Sequence, residues 1–378
     1  MNFHLTEEEK MLQAAARDFA KREVAPMASK VDEAEEFAME NFKKMAELGF
    51  TGLAIPPDYG GSGGNVLSLV LVMEEIAKAC ASTCDILDGQ TSLCGRPIFL
   101  YGTEEQKRKF LPPLTKGEKI GAFAITEAEA GSDISAIKTT AERDGDSYIL
   151  NGAKLFITNG PVCDIVIVFA NIPALAPRGM TAFIVETNTP GFSRGSQYKK
   201  LGMHGATNAE LIFNNVRVPA SNRLGDEGKG MKICLATLDE GRLGIAAQSV
   251  GIGQAVLEQA ISYSKERKQF GSLISQNQAI QWMLVDMATK VEAARLLTYQ
   301  AASLFDENMR VSKEAAMAKL YASEACLDIA IKGIQIFGGY GYMMDSPMQR
   351  YFRDAKLTQI YEGTSEVQRM VIARALLA

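Results

Sequence analysis

Histidine is almost missing from this chain: its 378 residues include only His4 and His204. A catalytic triad built around histidine and a histidine-rich metal site are therefore nearly excluded. We accordingly expect no metal. If the chain is an enzyme, its acid–base chemistry must depend on carboxylates, or a bound cofactor must perform the difficult step.

Several other features are also absent. The six cysteines are scattered and form no CxxC pair, which predicts reduced thiols in a cytoplasmic protein. No run of 18 apolar residues occurs, and the N-terminus lacks a secretory pattern, so we expect no membrane insertion. The net charge is -5 and the pI about 5.4, which argues against a nucleic-acid partner.

The chain is too long for one ordinary core, and its pattern divides it into three parts. Residues 1–115 are predicted to be an N-terminal helical domain, with capping boxes at Thr6 and Thr103. An apolar helix is expected over residues 66–81, and Pro112-Pro113 is expected to stop the last helix of this part.

Residues 116–230 change to period two, which predicts a middle antiparallel β-domain with a barrel-like form. Asp144-Gly145 predicts a hairpin, and Asn151-Gly152 predicts a second turn. Residues 231–378 return to helical patterns near 231–267, 278–306, 312–337 and 359–377, enough for a four-helix bundle. The predicted fold class is α+β, in the unusual order α–β–α.

Five segments contain residues suited to chemistry, although four of them also have a purely structural interpretation. The segment from Phe123 through Thr126 to Gly131-Ser132 suits close approach to a flat ligand or a phosphate, or is a capped turn. Phe156-Ile-Thr158 either flanks a ring system or ends a strand at an Asn-Gly turn.

Two further segments lie in the helical C-terminal part. Arg267 and Phe270, followed by Gln278, suit a pyrophosphate and a stacked base, or form a solvated helix end. Residues 335–342, which include Gly338-Gly339, are too irregular for a GxGxxG fingerprint, and no strand precedes them. A nicotinamide-binding Rossmann site is therefore poorly supported.

The fifth segment contains Glu362, between Tyr361 and Gly363 and directly before a helix that Thr364 would cap. A carboxyl group held against apolar neighbours has a raised pKa and becomes a usable base near neutral pH. The structural alternative is a loop glutamate paired with an arginine.

Taken together, these segments resemble the acyl-CoA dehydrogenase family from about residue 5 to residue 376. The most specific match is the run of residues 359–366, Gln-Ile-Tyr-Glu-Gly-Thr-Ser-Glu, supported by Arg353-Asp354-Ala355. Short-chain, butyryl-CoA-like bacterial enzymes are the nearest subgroup. The resemblance implies non-covalently bound FAD, a homotetramer that shares FAD sites between subunits, and an electron-transferring flavoprotein as electron acceptor.

The resemblance also implies residue roles. Glu362 would remove the α-proton of the thioester while the flavin takes the β-hydride, and its backbone N–H would stabilise the developing enolate. Gly241 stands where some members carry the base, which strengthens Glu362. Substrate contacts are expected from Ser132, Arg242, Tyr361 and Gly363, and FAD contacts from Phe123, Thr126, Ser132, Phe156, Thr158, Arg267, Phe270, Gln278, Gln335, Gly338, Gly339, Thr364 and Glu366.

Some positions depart from the family pattern: Ala128 replaces a proline, Phe156 a frequent tryptophan, and Ala206 and Asn208 hydroxyl residues. We expect these changes to tune the flavin and its loop without abolishing binding.

The segment that matches the acyl pocket is unusual because it carries two acids, Asp85 and Asp88, with Gly89 expected to leave room for a wide acyl group. Either Asp85 caps the helix and Asp88 pairs outward, or one of them faces the acyl group as a second acid. In the second case the resemblance extends to enzymes of alicyclic thioesters. Cyclohexane-1-carboxyl-CoA or cyclohex-1-ene-1-carboxyl-CoA is then a candidate substrate beside a short straight chain.

Three other interpretations remain open: an acyl-CoA oxidase, an enoyl-CoA reductase, and a flavin-free scaffold or binding protein. Intact Glu362, Arg267 and Gln335 argue against the scaffold.

Overall fold

The computed structural model describes residues 5–378, and it begins with a helical region. Its helices are α1 Glu7–Phe19, α2 Ala28–Ala34, α3 Met39–Glu47, α4 Val66–Ala79, α5 Ala81–Gln90, α6 Arg96–Tyr101 and α7 Glu104–Thr115. Both predicted capping boxes are present, because the hydroxyls of Thr6 and Thr103 accept from the third residue of α1 and α7. The predicted stop at Pro112-Pro113 is wrong: α7 continues to Thr115, since proline keeps a helical φ.

The middle region is a twisted sheet of eight strands. They are β1 Gly121–Ala124, β2 Thr140–Asp144, β3 Ser147–Thr158, β4 Ile165–Asn171, β5 Met180–Glu186, β6 Phe192–Gln197, β7 Asn208–Pro219 and β8 Arg223–Leu224. The order is β6-β7-β3-β2-β4-β5-β8, with β1 also paired to β4. Most pairs are antiparallel as predicted, but β1 and β2 run parallel to β4.

The two predicted turns of the sheet have different outcomes. Gly145 takes a positive φ of 60° in the turn between β2 and β3, which confirms the hairpin. The second predicted turn is wrong, because Asn151 and Gly152 lie inside β3. The register against β7 shifts between Leu150 and Gly152, so this Asn-Gly pair produces a bulge and not a reversal.

The C-terminal region is helical again, after a short hairpin of β9 Lys268–Gln269 and β10 Ser272–Leu273. Its helices are α8 Gly230–Glu266, α9 Gln278–Asp306, α10 Ser312–Phe337, α11 Pro347–Thr358 and α12 Ser365–Leu377. Four of them match the predicted bundle, and α10 ends where Gly338 adopts a φ of 61°. The short helix α11 was not predicted.

The fold brings the three regions together around α4 and α5. Every residue of α5 is buried, and α4 packs along the 37-residue helix α8. The predicted α+β fold, with helical, β and helical parts in that order, is confirmed. In residues 5–378 no helix combines the length and the apolar character needed to cross a membrane.

Candidate active site

Glu362 lies in the short connection between α11 and α12, in an unusual backbone conformation. Its φ is 51° and that of Gly363 is 94°, a left-handed pair that is uncommon for glutamate. Two side chains hold this turn through the Gly363 carbonyl: Lys319 Nζ donates to it at 2.7 Å and Gln368 Nε2 at 2.8 Å. Thr364 caps α12 as predicted.

The turn directs the Glu362 carboxyl group onto α8 at Gly241. A Cβ atom added at Gly241 would lie only 2.9 Å from Glu362 Cδ, so the glycine makes room for the acid. Glu362 Oε2 is buried and has no hydrogen-bond partner among the described residues. Burial raises the pKa of Glu362 to about 7, partly opposed by a contact with Asp88 and by the charges of Lys319 and Arg242.

Two cations lie near this acid. Arg242 is buried on α8, where its Nη1 bonds Asp239 Oδ1 at 2.7 Å while its Nε atom lacks a partner in residues 5–378. Lys319 comes from α10, and burial lowers its pKa to about 8. Since the Glu362 backbone N–H also has no acceptor in the described chain, it is available to bind a ligand oxygen.

Asp85 and Asp88 occupy the interior of α5, so the two structural alternatives for them are wrong. The N-cap of α5 is Cys80 and not Asp85, and Asp88 is 1% exposed with no outward partner. Burial raises the pKa of Asp85 to about 7 and raises that of Asp88 well above its ordinary value. Both Asp88 oxygens lack a hydrogen-bond donor within the described part of the chain.

Gly89 has a different environment from the one expected. A Cβ atom at Gly89 would lie 2.9 Å from Asn159 Nδ2, so this position lets α5 pack against the end of β3. The expectation that it leaves room for a wide acyl group is therefore wrong. A Cβ at Gly89 would point toward Asn159 and Thr158, so this part of α5 faces the end of β3.

The β-domain brings together Thr126, Phe156 and Thr158 at the ends of β1 and β3. Leu155 N donates to Thr126 O at 2.8 Å, and Asn208 Nδ2 donates to Thr158 Oγ1 at 2.9 Å. Phe156 has a φ of 60° and is 60% exposed, so its ring is available to a ligand. Ser132 is exposed in the following loop, and half-buried Phe123 packs on the core residue Phe169.

A second set of predicted residues lies at the far ends of α8 and α10. Arg267 joins Gly338 and Gly339 in a cavity of about 510 Å³, where its guanidinium lies 5.4 Å from the Tyr340 ring centre. The remaining members, Phe270, Gln278 and Gln335, are exposed. No hydrogen bond or ring contact between described residues joins this set to the β-domain set.

A larger cavity was missed by the sequence analysis. It has a volume of about 830 Å³, and Asp239, the ion-pair partner of Arg242, lies on its wall. Four basic residues line it: Arg178, Lys229, Lys232 and Arg310. Only the fold assembles this group, because its members come from the loop between β4 and β5, from the start of α8 and from the loop before α10. Gln248, which accepts from the Tyr361 hydroxyl, was also missed.

The chain matches a known family over almost its whole length. Three profiles, the acyl-CoA dehydrogenase N-terminal, middle and C-terminal domains, match residues 6–118, 122–216 and 228–377. The chain belongs to the acyl-CoA dehydrogenase family of oxidoreductases, whose members are FAD-dependent flavoproteins.

Individual relatives are similar over their full length. A short-chain specific acyl-CoA dehydrogenase of Clostridium acetobutylicum is 47% identical, with 99% of each chain covered. A subunit of the caffeyl-CoA reductase–Etf complex of Acetobacterium woodii is also 47% identical, with 99% of each covered. The structure of butyryl-CoA dehydrogenase from Megasphaera elsdenii matches with a TM-score of 0.98 at 46% identity, covering 100% of both chains.

Proposed function

We propose that this enzyme catalyses α,β-dehydrogenation of a short-chain acyl-CoA thioester, with Glu362 as the base. The observation that carries the proposal is the unpaired Glu362 Oε2, buried against Gly241. A carboxylate with a pKa of about 7 is ionised in a useful fraction at neutral pH and is basic enough to take a weakly acidic α-proton. The Glu362 N–H, which has no acceptor among the described residues, would stabilise the enolate oxygen that then develops.

The residues present suit FAD. Gly338 and Gly339 have open space where a side chain would be, and Arg267 beside them suits a pyrophosphate. Thr126, Thr158 and the exposed Phe156 ring suit the edge of a flavin. When bound, FAD supplies the acceptor for the hydride that leaves the β-carbon.

Within residues 5–378 no hydrogen bond or ring contact joins the two FAD sets, which supports a homotetramer in which neighbouring subunits complete each site. Thr364 and Glu366 at the start of α12 would contact the pyrophosphate and adenosine of FAD, and Ser132 would complete the flavin side. We further propose an electron-transferring flavoprotein as redox partner, supported by the Etf complex named for the Acetobacterium relative, and a cytoplasmic location.

The CoA portion fits the 830 Å³ cavity. Its four basic side chains suit the phosphates of CoA, and the Arg242–Asp239 pair leads from its wall toward Glu362. Tyr361 and Gly363, on either side of the base, would hold the thioester end. Arg242 contributes a positive charge that favours the ionised form of Glu362.

Two finer questions concern direction and acyl group. The name of the caffeyl-CoA reductase relative favours enoyl-CoA reduction as a second candidate, in which the same carboxyl group returns the α-proton. Asp85, buried near Glu362, keeps an alicyclic acyl group such as cyclohexane-1-carboxyl-CoA as a second candidate substrate. A short straight chain is preferred, because Gly89 adds no width to the pocket.

The test is a turnover panel of butyryl-CoA, cyclohexane-1-carboxyl-CoA and cyclohex-1-ene-1-carboxyl-CoA, with wild type and Glu362→Gln. We expect butyryl-CoA to be oxidised and the variant to lose at least about a hundredfold while retaining bound flavin. Near-normal rates in the variant would refute the base assignment. No turnover of either cyclic thioester would remove the alicyclic candidate, and fast reoxidation by air with substrate bound would indicate an oxidase.

A further inference from the structure

Asp88 and Glu362 form a buried pair of carboxyl groups in which a proton is required. They lie over two glycines one turn apart on α8: a Cβ at Gly241 would be 2.9 Å from Glu362 Cδ, and one at Gly244 would be 3.0 Å from Asp88 Cγ. The two side chains are within hydrogen-bonding reach of each other. Yet Asp88 Oδ1 and Oδ2 and Glu362 Oε2 have no donor in the described chain.

Two ionised carboxylates in a buried contact repel each other, and neither supplies a donor. One proton placed between them removes the repulsion and gives a donor to the unpaired oxygens. We propose that Asp88 carries this proton and donates it in a hydrogen bond to the Glu362 carboxylate. The two acids then act as one pair, in which Asp88 is a positioning residue that sets the pH at which Glu362 becomes a base.

The surrounding charges decide which acid keeps the proton. Among the described residues, the charged or titratable neighbours of the pair include Cys84 and Asp85 on α5, Glu240 and Arg242 on α8, Lys319 on α10, and Tyr361. The cations act on Glu362 and favour its ionised form, whereas the charges that act on Asp88 are those of Glu362 and Glu240. The hydroxyl of Ser92 is a neutral polar group close to Asp88. Burial and these charges raise the pKa of Asp88 well above that of a free aspartic acid, so the proton stays on Asp88.

This inference rests on the proposed function, because it concerns the base of that reaction. During proton abstraction Glu362 accepts the α-proton and becomes neutral, while Asp88 keeps its own proton throughout. Asp88 thus favours the ionised resting form of Glu362 and keeps its carboxyl group in a fixed orientation.

An infrared measurement tests the protonation state without turnover. Flavin-loaded wild type, Asp88→Asn and Asp85→Asn are compared at pH about 9, about two units above the pKa of about 7 at Asp85 and Glu362. We expect a protonated-carboxyl band in wild type and in the Asp85→Asn control that is missing from Asp88→Asn. An identical band in Asp88→Asn would overturn the proposal. This result stands even if no acyl-CoA is turned over, so it is distinguishable from failure of the proposed function.

The pH profile of kcat/KM gives the second test. The profile's apparent pKa on its acidic side reports the ionisation of Glu362. Asparagine keeps a donor, so Asp88→Asn should leave this apparent pKa within about 0.3 pH units of the wild-type value. Asp88→Leu removes the donor and should raise the apparent pKa by about one pH unit, which lowers kcat/KM about tenfold at pH 6. If Asp88 were ionised instead, asparagine would remove a repelling charge and lower this apparent pKa by about one pH unit, which would contradict the proposal. If the leucine variant does not fold, the asparagine variant and the infrared band decide the question.

Discussion

The substitution Gly241→Ala adds one methyl group directly beneath the proposed base. That carbon would lie 2.9 Å from Glu362 Cδ and 2.9 Å from Leu93 Cδ2, whereas ordinary contacts begin near 3.4 Å. Glu362 sits in a turn held by Lys319 and Gln368, so the backbone gives little freedom to move. The carboxyl group must therefore rotate or shift by about 1 Å, away from the position from which it reaches the α-carbon.

We expect kcat to fall about a hundredfold, since misplacement of a catalytic group by about 1 Å has an effect of that size. Stability should change little. Alanine is favoured over glycine in a helix by about 1 kcal/mol, which offsets part of an overpacking cost of about 1–3 kcal/mol. The assay is steady-state turnover of butyryl-CoA with an artificial electron acceptor, accompanied by flavin content and thermal unfolding.

Gly253→Ala on the same helix is the matched control. Its added carbon would meet Ile329 Cδ1 at 3.3 Å and Val291 Cγ2 at 3.4 Å, a looser and purely apolar contact that involves no carboxyl group. This variant should retain kcat within about twofold. The reasoning is refuted if Gly241→Ala keeps more than about a third of wild-type kcat, or if both variants lose activity equally.

Two further predictions concern pH and stability. With a Glu362 pKa of about 7, the ionised base is lost as pH falls, so kcat/KM should be about tenfold lower at pH 6 than at pH 8; a flat profile over this range would contradict the assignment. Glu127→Gln should lower the free energy of unfolding by about 3–5 kcal/mol in chemical denaturation, because fully buried Lys154 loses the carboxylate charge that lies 2.6 Å from it. Adding Lys154→Met should recover part of that loss, and no recovery would argue against an ion-pair effect.

Much of this protein followed from local sequence patterns. Hydrophobic period, capping residues and turn signals predicted the α–β–α order, the start of α1 and α7, and the end of α10 at Gly338. These features are local, because they depend on residues within one turn or one hairpin. The errors were local signals overridden by packing, as when Asn151-Gly152 became a bulge because β3 continues pairing with β7.

The candidate base could also be predicted from the sequence, because residues 359–366 form one continuous and specific motif around Glu362. The groups that surround Glu362 could not be predicted in this way. Asp88 approaches Glu362 only because α5, α8 and the turn before α12 meet, and Gly241 and Gly244 allow that meeting by having no side chain. The basic cavity near Arg242 likewise combines residues from distant segments. Sequence by itself determined most of the elements and the identity of the acid, whereas the tertiary structure decided which groups surround it, because burial and charge depend on neighbours that are far apart in the chain.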